Sequence, residues 1–209
     1  MKLWIGILLL FFQTDSFKQF TFCIEKSRGP FESQCVQLDA AGKGQGRFKR
    51  RGADEIKVPI ALSNTARDRF LSVLKATNNI ENGENFESGR KVADLGKKHL
   101  TLELPDGKTR ESIYNYSILK EVSDLGSFFE GVINEEMIGL DIDNAIQYDR
   151  LSIPKHVEHI ENEMKSNRIS DPERLIPILE KIQNDKRLID YARARAGKLK
   201  DQIVAKKAR

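Results

Sequence analysis

The chain has 209 residues, of which 39% are hydrophobic and 32% carry a charge, an ordinary balance for a globular protein. Lys and Arg number 35 against 31 Asp and Glu, which gives a formal net charge of +4 and excludes an overall electrostatic signal for nucleic-acid binding. A chain of this length can bury one large core or two small ones.

The N-terminal sequence MKLWIGILLLFFQTDS predicts a signal peptide over residues 1–16. Lys2 precedes an unbroken apolar run, residues 3–12, which is shorter than the ~20 residues that a membrane span needs. Thr14 and Ser16 provide small side chains before a cleavage site. We therefore expect a secreted or periplasmic protein without stable membrane insertion; the alternatives are a buried N-terminal strand and an uncleaved anchor.

The two cysteines lie in strand-like segments, FTFCIE and SQCVQLD, on either side of the turn residues Gly29 and Pro30. Pairing of these segments as a hairpin places Cys23 and Cys35 opposite each other. In an oxidising compartment this arrangement favours a disulfide. Two free buried thiols, or half of a metal site, are the alternatives.

Strand and helix patterns alternate through the rest of the first half. A strand, a turn and a strand follow the cysteines, and alternating apolar residues in EIKVPIALS predict a further strand. Ser63 or Asn64 can cap the next helix. Leu100, Leu102 and Leu104 lead into a Pro-Asp-Gly hairpin, and a second helix follows. We predict an α+β domain over residues 17–137, an antiparallel sheet with two packed helices.

After residue 137 the sequence predicts helices alone. Isoleucines at helical spacing indicate a short helix around residues 138–146, and Pro154 begins a second. The sequence Ser-Asp-Pro-Glu at residues 170–173 has the form of a capping box for a third helix, which Pro177 should kink. A basic amphipathic helix ends the chain. These features predict a small C-terminal helical bundle over residues 138–209.

The glycine-rich basic stretch GKGQGRFKRRG, residues 42–52, lacks the spacing of a Walker loop or a dinucleotide fingerprint. A strand rather than a helix follows it, so the helix N-terminus that binds phosphate in those motifs is missing. We interpret the stretch as a turn and a strand. Its basic side chains predict an exposed contact edge for an acidic protein partner, formed by Arg47, Lys49, Arg50 and Arg51.

The sequence HVEHIENE could present His156, His159 and Glu163 along one flank of a helix, as ligands of a zinc ion. The HExxH spacing is absent, so exposed histidines beside acids are the favoured interpretation. We predict neither a metal site nor a cofactor.

Other candidate catalytic groups also have ordinary interpretations. His99 is predicted on the solvent side of a strand, and Glu135 and Glu136 on the surface of a helix. No G-x-S-x-G elbow is present. The basic C-terminal helix could contact an anionic membrane or nucleic acid, although a solvated helix end explains it more simply. No catalytic residue is therefore predicted.

A strand ending in SRGPF, a return strand, a helix, a DG hairpin and a closing helix follow one another in an order similar to that of emfourin-type domains. Those small secreted α/β domains include inhibitors of thermolysin-like metalloproteases. The similarity covers residues 17–136, and more broadly the chain resembles uncharacterised secreted or periplasmic bacterial proteins. Pro30 before Phe31 and the cysteine pair depart from the family pattern, so we transfer no inhibitory residues.

Together these features predict an exported, non-enzymatic protein that acts through contact with an unidentified protein partner, and not through nucleic acid. A secreted inhibitor of a thermolysin-like metalloprotease is one alternative. A hydrolase whose active-site residues are distant in sequence is the other.

Overall fold

The computed structural model describes residues 17–207, so the predicted signal peptide lies outside the described residues. No helix in residues 17–207 is long and apolar enough to cross a membrane. The described chain forms six strands: β1 (Gln19–Glu25), β2 (Phe31–Leu38), β3 (Lys43–Arg50), β4 (Glu55–Ala61), β5 (Lys97–Glu103) and β6 (Thr109–Tyr114). Its five α-helices are α1 (Asn64–Ala76), α2 (Lys120–Tyr148), α3 (Ile153–Lys165), α4 (Ile176–Asn184) and α5 (Asp190–Lys207).

The strands form one antiparallel sheet in the order β4-β3-β2-β1-β5-β6. Alternate residues point to opposite faces, as the pleat requires. One face carries the apolar side chains of the core, among them Phe20, Phe22, Val36, Leu38, Phe48, Leu100 and Leu102. The opposite face carries polar residues and the two cysteines, and we call it the open sheet face.

Helices α1 and α2 cover the apolar face of the sheet through a cluster of phenylalanine rings. The ring centroids of Phe20 and Phe22 lie 5.0 and 5.2 Å from that of Phe129 on α2. Phe70 on α1 lies 5.8 Å from Phe20 and 5.4 Å from Phe129. Aromatic burial on this scale dominates the energetics of a core. The predicted α+β class, with two helices on an antiparallel sheet, is confirmed.

Helix α2 is a single helix of 29 residues, whereas the sequence predicts a separate short helix from residue 138. No proline interrupts this segment, and Gly139 costs a helix interior only about 1 kcal/mol. The helix contributes Val132 and Ile133 to the core under the sheet, and Ile138 and Ile142 to a second apolar cluster. The predicted domain boundary between residues 137 and 138 therefore falls inside α2.

The second cluster is built by α3, α4, α5 and the end of α2, including Ile153, Val157, Ile160, Leu179, Ile182, Ala196 and Leu199. The predicted capping box is wrong. A 3-10 turn, Pro172–Leu175, precedes α4, and the Ser170 hydroxyl donates to the Phe128 carbonyl oxygen at 2.7 Å instead of capping. Pro177 lies in the first turn of α4, where its missing N–H costs nothing.

Candidate functional site

The glycine-rich stretch forms the turn before β3 and then the strand itself, as predicted. Gly42 has a φ of +74°, which favours glycine. At Gly44 a Cβ atom would lie 1.8 Å from the Gln37 carbonyl oxygen. The Asp39 carboxylate accepts the Lys43 N–H at 2.9 Å and closes the turn. Backbone geometry thus accounts for these two glycines.

The four basic residues of the predicted contact edge do not share one surface. Arg47 and Lys49 lie on the open sheet face. Arg50 points to the other face, where its guanidinium lies 3.7 Å from Asp141. Arg51 donates to the carbonyl oxygens of the β1–β2 turn, at 2.9 Å to Gly29 and 2.5 Å to Lys26. Only Arg47 and Lys49 of the four therefore lie on the open sheet face, and Lys49 Nζ donates to the Ala53 carbonyl oxygen at 2.7 Å.

A disulfide joins Cys23 and Cys35 near the middle of the open sheet face, as predicted. The two residues are directly paired on β1 and β2. In the same register, Cys23 pairs with His99 on β5, and Cys35 pairs with Arg47 on β3. The disulfide is therefore flanked by His99 and Arg47 on the two neighbouring strands. His99 is partly exposed, and its Nε2 lies 3.3 Å from a Glu25 carboxylate oxygen.

The histidine-rich segment on α3 does not gather as a metal site. Glu163 is buried rather than exposed, and its carboxylate binds Asn134 Nδ2 at 2.8 Å and Arg168 Nη2 at 2.6 Å. His159 Nδ1 lies 3.9 Å from the same carboxylate. Within residues 17–207 no group of three or more His, Cys, Asp or Glu side chains could hold a metal ion.

Glu135 is buried, so its predicted place on the surface is wrong. Its Oε1 accepts the backbone N–H groups of Ser170 and Asp171, both at 2.6 Å. Arg174 Nη1 donates to Oε2 at 3.0 Å, and Arg174 also pairs with Glu136. This network, formed by these five residues, ties α2 to the segment before α4.

Burial dominates the titration of this network. It raises the pKa of Glu135 to about 7, against the opposing effects of Arg174 and the Asp171 N–H. Burial likewise raises the pKa of Asp171, whose Oδ2 accepts the Ser63 N–H at 2.6 Å at the start of α1. These hydrogen bonds hold the segment before α4 against α2 and against the start of α1. The network is therefore a structural connection between the sheet half and the helical half of the chain.

Sequence patterns do not predict this network, because its partners are distant along the chain. One signal was present: Gly131 lies four residues before Glu135, on the same side of α2. A Cβ atom at Gly131 would lie 2.2 Å from the Ser170 hydroxyl. The missing side chain at Gly131 gives Ser170 room to approach α2 beside Glu135.

A groove with a volume of about 640 Å³ lies between α3 and α5, and we call it the α3–α5 groove. Four cations and one carboxylate line it: Lys165, Arg195, Lys198, Lys206 and Glu161. The Tyr191 side chain also lines it, and this residue is 60% exposed. The Arg195 guanidinium lies 5.9 Å from the Tyr191 ring centroid, a cation–π geometry.

Arg195 occupies both carboxylate oxygens of Glu161, with its Nε and Nη2 each at 2.8 Å. This bidentate bond, together with Lys165 and Lys198, lowers the pKa of Glu161, so the carboxylate is ionised. Lys165, Lys198 and Lys206 lie outside the ion pairs formed among residues 17–207. The groove consequently has a net positive charge and lysines free to bind an anion.

No family model matches this chain, and no curated protein is similar to it. The resemblance to emfourin-type domains therefore rests on the sequence motifs alone.

Proposed function

We propose that this is an exported, non-enzymatic protein that binds an acidic segment of a protein partner along the α3–α5 groove. The unpaired lysines of that groove carry the proposal. None of these three ammonium groups lies within ion-pair distance of a carboxylate in residues 17–207, so an anionic ligand would reduce the repulsion between them.

The shape of the groove suits an extended contact. Tyr191 and Lys206 lie at the two ends of one stripe on α5, about 22 Å apart at the rise of an α-helix. The partly buried Met164 provides apolar surface between the charges. Tyr191 and Arg195 belong to residue types that are enriched at protein contact surfaces.

Export is supported by the disulfide, since such bonds persist in oxidising compartments. Trp4 is the one tryptophan of the chain and lies in the predicted signal peptide. Cleavage would leave an exported protein without tryptophan. Intact mass and fluorescence of the exported species test this, and tryptophan emission from it would contradict cleavage.

The binding proposal is tested with a fluorescein-labelled peptide of 15 glutamates, by anisotropy at about 150 mM salt. The double variant Lys165→Glu/Lys198→Glu should weaken binding about tenfold or more, because it reverses two charges of the groove. A matched variant, Arg47→Glu/Lys49→Glu, reverses two charges on the open sheet face and should leave the affinity within about twofold.

Loss of affinity in the Arg47/Lys49 variant alone would place the contact on the open sheet face and overturn the groove proposal. Unchanged binding in the groove variant would also contradict it. Circular dichroism of both variants confirms that the fold is intact. Metalloprotease inhibition and hydrolysis stay predictions of the sequence, tested by titration against a thermolysin-like protease and by hydrolase assays of His156→Ala and His159→Ala.

A further inference from the structure

The disulfide occupies an unusual place for a structural cross-link. Cys23 and Cys35 lie on β1 and β2, the two central strands, and both are only partly buried on the open sheet face. Helices α1 and α2 cover the opposite face. The sulfur atoms therefore lie on the side of the sheet that no other element of residues 17–207 packs against.

The strands on either side of the disulfide place basic side chains at the positions opposite the two cysteines. Arg47 lies directly opposite Cys35, and His99 directly opposite Cys23. The Cβ atoms of directly opposed residues lie about 5 Å apart, within reach of a guanidinium. Among residues 17–207 Arg47 forms no ion pair, and its Nε is buried without a hydrogen-bond partner. The Glu25 carboxylate on the same face lies beside His99.

An arginine without an ion-pair partner, directly opposite a cysteine on the next strand, has a chemical consequence. A neighbouring cation lowers the pKa of a thiol and stabilises its thiolate. A thiolate of lower pKa is a better leaving group in thiol–disulfide exchange, and stabilisation of the reduced form makes the disulfide a stronger oxidant. Arg47 would act in this way on Cys35.

Contacts other than the bond also hold β1 and β2 in place. Both strands are paired on their two sides, and the phenylalanine core lies on the opposite face. Closing a loop with a sequence separation of 12 residues stabilises the chain by about 3 kcal/mol at most. These contacts should keep the sheet folded after reduction.

We propose that Cys23–Cys35 is an exchangeable disulfide that oxidises thiols. An incoming thiolate attacks Cys23 Sγ, the Cys23–Cys35 bond breaks, and its electron pair passes to Cys35 Sγ, which leaves as a thiolate beside Arg47. A second thiol attacks the mixed disulfide at the incoming sulfur. Two thiols are thereby oxidised to one disulfide, and both cysteines are reduced and take up the two protons. Each molecule carries out one such exchange before reoxidation.

The equilibrium with reduced and oxidised glutathione at pH 7 tests this, with the thiols counted by mass after alkylation. Arg47→Gln should shift the equilibrium constant about tenfold toward the disulfide. Lys57→Gln, which removes the charge opposite Arg47 on β4, serves as the matched control and should shift it less than about twofold. Circular dichroism of the reduced protein should match that of the oxidised protein.

The direction of attack is tested with single cysteine variants. Cys35→Ser should form a mixed disulfide with glutathione disulfide at Cys23, and Arg47→Gln in the wild-type background should slow reduction by glutathione. An equilibrium constant unaffected by Arg47→Gln, or unfolding on reduction, would overturn the proposal. Neither result bears on the α3–α5 groove, whose peptide affinity is measured with the disulfide intact.

Discussion

The carboxylate of Glu135 accepts the backbone N–H of Ser170 at 2.6 Å, across a separation of 35 residues. The same oxygen accepts the N–H of Asp171, and the other oxygen binds Arg174. Removal of this buried acid would leave two backbone donors without an acceptor and Arg174 with Glu136 as its remaining carboxylate partner. Three predictions follow from this contact between α2 and the segment before α4.

Glu135→Ala should lower the free energy of unfolding by about 3 kcal/mol or more, because it leaves two buried backbone donors without an acceptor and removes one of the two carboxylates that pair with Arg174. Urea denaturation monitored by circular dichroism measures the change. Glu158→Ala, at an exposed position of α3, is the control and should stay within about 0.5 kcal/mol of wild type. Equal losses in the two variants would contradict the role of Glu135.

Glu135 should also make stability depend on pH. Its pKa is raised to about 7 in the folded protein from 4.5, so between these values the folded state keeps a proton that the unfolded chain releases. The free energy of unfolding therefore falls as the pH rises through this window, by on the order of 2 kcal/mol from this group. Glu135→Gln, which cannot titrate, should lose this contribution.

The measurement is the difference in unfolding free energy between wild type and Glu135→Gln at several values from pH 5 to pH 8. Wild type should lose stability relative to Glu135→Gln as the pH rises. The difference should become constant above the pKa of Glu135 in the folded protein. A difference that is constant throughout, or that changes in favour of wild type, would show that Arg174 and the backbone donors outweigh burial.

Two glycines of α2 give a matched pair of substitutions. A Cβ atom at Gly131 would lie 2.2 Å from Ser170 Oγ, whereas a Cβ atom at Gly139 would have no neighbouring atom within 4 Å. Gly131→Ala should destabilise the protein by about 1–3 kcal/mol through overpacking. Gly139→Ala should stabilise it by about 0.5–1 kcal/mol, since alanine favours a helix interior. Thermal unfolding distinguishes them, and shifts of the same sign would be inconsistent with the contact.

Local patterns predicted the sheet half well. Alternation identified the strands, the Pro-Asp-Gly turn identified the β5–β6 hairpin, and Ser63 caps α1 through a hydrogen bond of its hydroxyl oxygen with the Ala66 N–H. The symmetry of the cysteines about Gly29 gave their pairing. Each of these signals involves residues that are close in the sequence and also close in space.

The remaining features depend on contacts between distant segments. Ser170 follows the rule for a capping residue, yet its hydroxyl binds Phe128 because α2 passes close by at Gly131. The four basic residues after Gly46 are neighbours in sequence, but the pleat and the β1–β2 turn separate them. The α3–α5 groove combines Lys165 with Lys198, and only the packing of two helices brings these charges together.

Helix α2 is about 43 Å long at 1.5 Å per residue, and it lines both apolar clusters without a break. Loss of either cluster removes the packing from one end of α2. The backbone hydrogen bonds of that end continue into the turns that pack in the other cluster. Helix formation is cooperative, so unwinding at one end of α2 destabilises the helix at the other end. The two halves should therefore melt together, and heat or denaturant should give one transition whose midpoint is the same for probes placed at either end of the helix.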